Sequence, residues 1–184
     1  MTPPDTHPER TYGPVAIALH WLVFALVTAQ MLVGWFMPDI KKNTPQEGLV
    51  DLHLSLGAAT MLVVLVRIVW RVMRPTPLTT TMTGWERVLA KLTHELLYLL
   101  LLVIPLLGWA AAGFRDYTVR LFGIPLPPLA DHTMQWAHTA GDIHMDLTYV
   151  LLGLVGLHAL AALWHYFVRK DQILQRMIPA LKRR

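Results

Sequence analysis

The 184-residue chain is 54% hydrophobic and only 15% charged, with mean hydropathy +0.43 and a formal net charge of +4. That balance excludes an ordinary soluble domain and indicates a small integral membrane protein. The absence of cysteine excludes thiolate metal sites, cysteine-ligated clusters and disulfides, leaving histidine, methionine or carboxylate to hold any metal.

Four stretches, taken in chain order, predict an all-α, four-helix membrane bundle forming one domain over residues 1–184. Val15 to Met37 is free of formal charge, opens after Gly13-Pro14 and closes at Pro38. It exceeds the ~20 residues needed to cross a bilayer. It is also longer than the ~7–15-residue core of a cleaved signal, and no small-residue cleavage site follows, so it is expected to be retained. The second span runs from about Leu49 to Val72 and must end before Pro75-Thr76-Pro77, where proline disrupts helical hydrogen bonding. The third is about Leu92 to Phe114, with a bend expected at Pro105 and Gly108. The segment from Arg115 to Asp142 contains Ile124-Pro125-Leu126-Pro127-Pro128 and suits an interfacial cap over the bundle. The fourth span runs from about Met145 to Val168.

Lys and Arg gather beside the apolar stretches instead of interleaving with aromatics, so they read as topology signals and no nucleic-acid partner is expected. With both termini cytoplasmic, the inner segments hold twelve of these residues, while the outer side keeps only Lys41, Lys42, Arg115 and Arg120. Spans one and three then run outward, and two and four inward.

Within this topology, His20 lies near the inner start of span one and His53 near the outer start of span two. His144 and His158 share span four, fourteen residues apart. At ~100° and ~1.5 Å per residue that step is nearly four turns and ~21 Å, so both imidazoles face one way at different depths. Depth pairs His53 with His144 outside and His20 with His158 inside, each pair joining two helices as bis-imidazole ligation of a haem iron requires. Gly34, fourteen residues from His20, and Gly57, one turn from His53, offer room for a macrocycle at the outer pair. Arg67, fourteen residues from His53, shares its face but lies near the inner pair, placed to neutralise haem propionates or guide an anionic quinone intermediate.

These features resemble the prokaryotic cytochrome b561 family of small, four-helix, di-haem proteins of the bacterial inner membrane. The matching segments are Ala18-Leu19-His20-Trp21-Leu22, His53, Arg67-Ile68-Val69-Trp70-Arg71 with Arg74-Pro75-Thr76-Pro77, Gly156-Leu157-His158-Ala159, and Trp164-His165-Tyr166-Phe167 through Lys170-Asp171. The resemblance spans nearly the whole chain and implies that His20, His53, His144 and His158 ligate two b-type haems. It further implies a superoxide:ubiquinone oxidoreductase, with superoxide oxidised outside and quinone reduced near the cytoplasmic side.

Quinone reduction consumes protons, and His94, Glu95 and His165 are candidates to supply them near the inner pair together with Arg67; His94 and His165, but not Glu95, match residues of the family pattern. Lys41, Lys42, Arg115 and Arg120 are candidates to steer an anionic substrate. A redox partner protein is compatible with this reading but not required. Two other readings compete: a haem subunit linking a partner dehydrogenase or hydrogenase to the quinone pool, and a His-lined transporter, which the lack of inverted repeats disfavours. His132, His138 and Asp142 form a weaker candidate for a peripheral metal site.

Overall fold

The computed structural model describes residues 12–40, 44–75 and 83–181. Helix α1, Pro14–Phe36, starts with proline in its first turn, where a missing N–H costs nothing, and its C-cap Met37 precedes Pro38. Helix α2 is Leu49–Met73, α3 is Gly84–Phe114 and α4 is Gln135–Trp164. All four are long and apolar enough to cross a membrane. Their outer faces leave large apolar side chains such as Trp35, Phe36 and Val72 exposed, as lipid contact requires. Consecutive helices pack side by side, most extensively α3 with α4.

Two helices are longer than hydropathy alone predicts. Helix α3 begins eight residues before Leu92, because the Thr83 N–H donates to Glu86 Oε2 at 2.8 Å in a capping box that starts the helix within polar sequence. Helix α4 begins ten residues before Met145 and carries Gln135, His138 and Asp142 on its first turns. At ~1.5 Å per residue each runs about 45 Å, against ~30 Å of bilayer hydrocarbon. Each therefore overhangs the apolar layer at its N-terminus, and the two overhangs lie at opposite ends of the bundle.

The α4 overhang is held against the end of α3 by small residues. Ala110 packs with Ala130, Ala137 and Ala140, and a side chain at Gly113 would collide with the Ala130 carbonyl. At mid-bundle, Leu100, Ile104 and Leu151 form a core joined by Val27 and Met31 of α1. This apolar layer separates the two ends where the histidines gather.

The segment after α3 does form the cap. Strands β1, Arg120–Leu121, and β2, Ile124–Pro125, make an antiparallel hairpin turned by Phe122 and Gly123, both at positive φ. Val119 buries against Ala58 and Ala112. Gln46 fastens this cap to the start of α2, donating to the Thr118 carbonyl and accepting from the Thr118 N–H, each at 2.7 Å. Before α4, the Thr133 hydroxyl and backbone N–H both donate to Asp131, holding its carboxyl below the usual range.

After Trp164 the chain winds through a π-helical turn, His165–Arg169, and reverses at Lys170, whose φ of 55° is left-handed. The tail then crosses the end of the bundle where α1 begins, and there the Trp21 indole donates to the Met177 carbonyl at 3.0 Å. An ion pair between Arg169 and Glu86 joins the end of α4 to the start of α3.

Candidate functional site

The bundle brings its membrane histidines into two groups at opposite ends. At the end capped by the hairpin, the His53 and His144 rings face each other with centroids 6.0 Å apart and planes at 79°. The Ile104 carbonyl can only accept, so His144 donates from Nδ1 to it at 2.8 Å, which leaves Nε2 as the nitrogen with a free lone pair. Gly108, one turn beyond Ile104, makes this approach possible: a Cβ there would stand 2.9 Å from Nδ1 and Cε1 of His144. Gly34 plays a looser version of the same part for His53, with its Cβ position 3.4 Å from Cε1.

Gln30 of α1 donates from Nε2 to the His53 carbonyl at 2.9 Å, and a Cβ at Gly57 would lie 3.3 Å from that nitrogen. Gly57 therefore makes room for Gln30. The cavity beside the pair is lined by Gln30, Met61, Trp109 and Val119 together with both histidines. His53 Nδ1, Gln30 Oε1 and Trp109 Nε1 are all buried there without a hydrogen-bond partner. Three buried polar atoms lining one cavity are thus left without a protein partner among the described residues.

At the other end, the centroids of His20 and His158 lie 6.3 Å apart with planes at 61°. His94 joins them, its ring 5.2 Å from that of His158, and it donates from Nδ1 to the Ala90 carbonyl at 2.5 Å. Arg67 donates to His20 Nδ1 at 2.8 Å and stacks over the Tyr98 ring at 5.5 Å, while Arg71 lies over the same ring at 5.9 Å. A second cavity, lined by Arg71, Lys91, His94, Glu95 and Tyr98, opens beside this group. His165 stands apart, paired with Asp171 at 2.5 Å where the tail turns back.

Of the four outer-loop cations, Lys41 and Lys42 lie outside the described residues. Arg120 is bound to Asp51 at 3.2 Å, so its charge is largely balanced. Arg115 has no acidic partner among the described residues. The peripheral cluster does not assemble: His132 pairs with Asp116 at 3.5 Å and His138 with Asp142 at 3.8 Å, and no three such side chains converge among the described residues.

Sequence reasoning overlooked Gln30, Tyr98 and Trp109 and read Gly108 only as part of a bend. A signal was present, since Gly108 follows His94 by the same fourteen-residue step that relates His20 to Gly34, His53 to Arg67 and His144 to His158. Gln30 lies one turn before Gly34 and Tyr98 one turn after His94, on the same faces.

The profile of the prokaryotic cytochrome b561 family matches residues 11–180. The chain is 31% identical over 175 residues to the "Probable superoxide oxidase CybB" of Yersinia pestis, covering 93% of this chain and 97% of that protein. It is 32% identical over 176 residues to "Cytochrome b561 homolog 2" of Escherichia coli, covering 93% and 92%. It is also 31% identical over 175 residues to "Cytochrome b562" of Cereibacter sphaeroides, covering 92% and 96%. A match of this extent, over four membrane-length helices with histidines gathered between them, makes the chain a member of the prokaryotic cytochrome b561 family, multi-pass bacterial membrane proteins that bind b-type haem and serve electron transport.

Proposed function

We propose that the protein binds two b-type haems, one between His53 and His144 and one between His20 and His158, and carries electrons from superoxide to ubiquinone across the bacterial inner membrane. The observation that carries this reading is the repeat of one geometry at both ends of α4: two facing imidazole pairs, 6.0 and 6.3 Å between centroids, a fourteen-residue step apart. Two imidazole–metal bonds of ~2.0–2.1 Å, with the ring half-widths added, require a centroid separation of about 6 Å. Both pairs match it, whereas His94 at 5.2 Å from His158 is too close to share a metal with it. The notches at Gly34 and Gly108, which seat the two imidazole rings, and the unpaired polar atoms in the cavity beside them support a site built around that pair.

When bound, the haems supply one-electron carriage between the two ends. The chain's own residues set everything around that step. Excess Lys and Arg on the segments flanking the His20 end support a cytoplasmic location for it and for both termini, with the capped end periplasmic. Arg115, with Lys41 and Lys42, attracts the superoxide anion to the capped end. Two superoxide anions give two molecules of oxygen and two electrons. Ubiquinone takes these with two protons at the opposite end, where the cavity of Arg71, Lys91, His94, Glu95 and Tyr98 opens beside the inner pair. His94, its Nδ1 held by Ala90, presents Nε2 to move a proton there, and the His165–Asp171 pair lies at the same end for relay. The name of the Yersinia pestis relative supports superoxide as donor over a partner dehydrogenase.

Stopped-flow absorbance on the purified holoprotein tests the whole proposal. Superoxide generated in the mixture is expected to reduce the haems within the mixing experiment, and a ubiquinone analogue to reoxidise them. Haems that stay oxidised under superoxide eliminate it as donor.

A further inference from the structure

The two imidazole pairs differ in what touches them, and the difference has a direction. The cavity at His53 and His144 is lined by no formally charged side chain. His144 has a carbonyl acceptor for its Nδ1–H, that of Ile104. His53 faces the same need, with its Nδ1 buried and unpaired, and the unpaired atoms sharing its cavity are Gln30 Oε1 and Trp109 Nε1. The indole N–H is a donor and cannot serve another donor, so Gln30 Oε1 is the complementary group. Gln30 is already anchored at the His53 backbone through its Nε2. At the opposite end the neighbour of His20 is not an acceptor but a cation: Arg67 donates to Nδ1 at 2.8 Å here. It must release that nitrogen when Nε2 takes a metal and Nδ1 carries the proton, leaving its charge beside the pair over the Tyr98 ring, where Arg71 also lies.

Acceptors on the outer nitrogen make an imidazole a more basic ligand and favour the oxidised metal; a fixed cation in low dielectric favours the added electron. Resting on the two-haem reading above, we propose that Gln30 is the acceptor for His53 Nδ1–H and lowers the reduction potential of the His53/His144 site, while Arg67 raises that of the His20/His158 site. The chain thereby makes passage from the capped end to the opposite end downhill. Gln30 and Arg67 are tuning residues; neither contacts the metal.

Optical redox titration of the purified holoprotein tests this, each component being assigned by its disappearance in His144→Ala or His20→Ala. Two potentials are expected, the lower belonging to the His53/His144 site. Gln30→Leu should raise that lower potential by a tenfold change in partition, about 59 mV for one electron, whereas Gln30→Glu, which keeps an acceptor, should not raise it. Arg67→Leu should lower the other potential by a similar amount and Arg67→Lys should retain it. Equal potentials in the wild type, an unmoved lower component in Gln30→Leu, or a raised one in Gln30→Glu overturns the proposal. A holoprotein with one haem per chain, or with the same haem lost from both histidine variants, instead overturns the two-site reading and the tuning with it.

Discussion

Gly108 of α3 lies against the Nδ1–Cε1 edge of the His144 imidazole on α4, so that a methyl group at this position would stand 2.9 Å from both of those ring atoms. The ring cannot simply swing away, because its Nδ1–H is committed to Ile104 one turn earlier on the same helix. Gly108→Ala is therefore expected to displace His144 and cost ~1–3 kcal/mol as an overpacked contact. The haem-to-chain ratio, measured as pyridine haemochromogen, should fall by about half. Gly34→Ala, where the nearest His53 atom is 3.4 Å away, should retain the full complement. Equal haem content in both variants would show that the notch at Gly108 is dispensable.

The pairing across helices makes a sharper demand on the histidines. His53→Ala and His144→Ala are each expected to lose one and the same haem, and His20→Ala and His158→Ala the other. His94→Ala should keep both haems and slow reoxidation by quinone about 100-fold or more, the usual scale for a lost proton-transfer group. Visible spectra and quinone kinetics on the five variants check this; loss of haem from His94→Ala would transfer the ligand role to that residue.

Steering of an anion is expected to depend on salt. Raising ionic strength from ~10 mM to ~150 mM shortens the screening length from ~30 Å to ~8 Å, and the second-order rate with superoxide should fall accordingly. Arg115→Gln should lower that rate more than Arg120→Gln, since Asp51 already balances Arg120. A salt-independent rate, or a larger effect at Arg120, would remove Arg115 from the role.

The cap offers a separate test of stability. Asp51 and Arg120 are each substantially exposed, so breaking their pair with Arg120→Gln, which leaves the Asp51 bond to Gln46 Nε2 at 2.8 Å in place, should cost well under ~1 kcal/mol. Gln46→Ala removes both hydrogen bonds to Thr118 and strands that backbone under the cap, for an expected ~1–3 kcal/mol. Thermal melts in detergent should rank Gln46→Ala as clearly the less stable variant; the reverse order would mean that the ion pair holds the cap.

Much of this protein is legible in its sequence, because membrane crossing is a matter of length and hydropathy along one helix. Four apolar stretches, the proline stops, the cap at Ile124 to Pro128 and the fourteen-residue step on α4 are all local patterns. The true starts of α3 and α4 escape hydropathy because both overhangs are polar; the Thr83 and Glu86 capping pair is the signal that marks one of them. The tertiary structure alone decides which faces meet. It sets Gln30 over the His53 carbonyl, places Gly108 against His144, gives Arg67 to His20 and binds Arg120 to Asp51. A helix's periodicity defines its faces, but the rotation and tilt that bring one face to another are set by packing among all four helices, which no single stretch encodes.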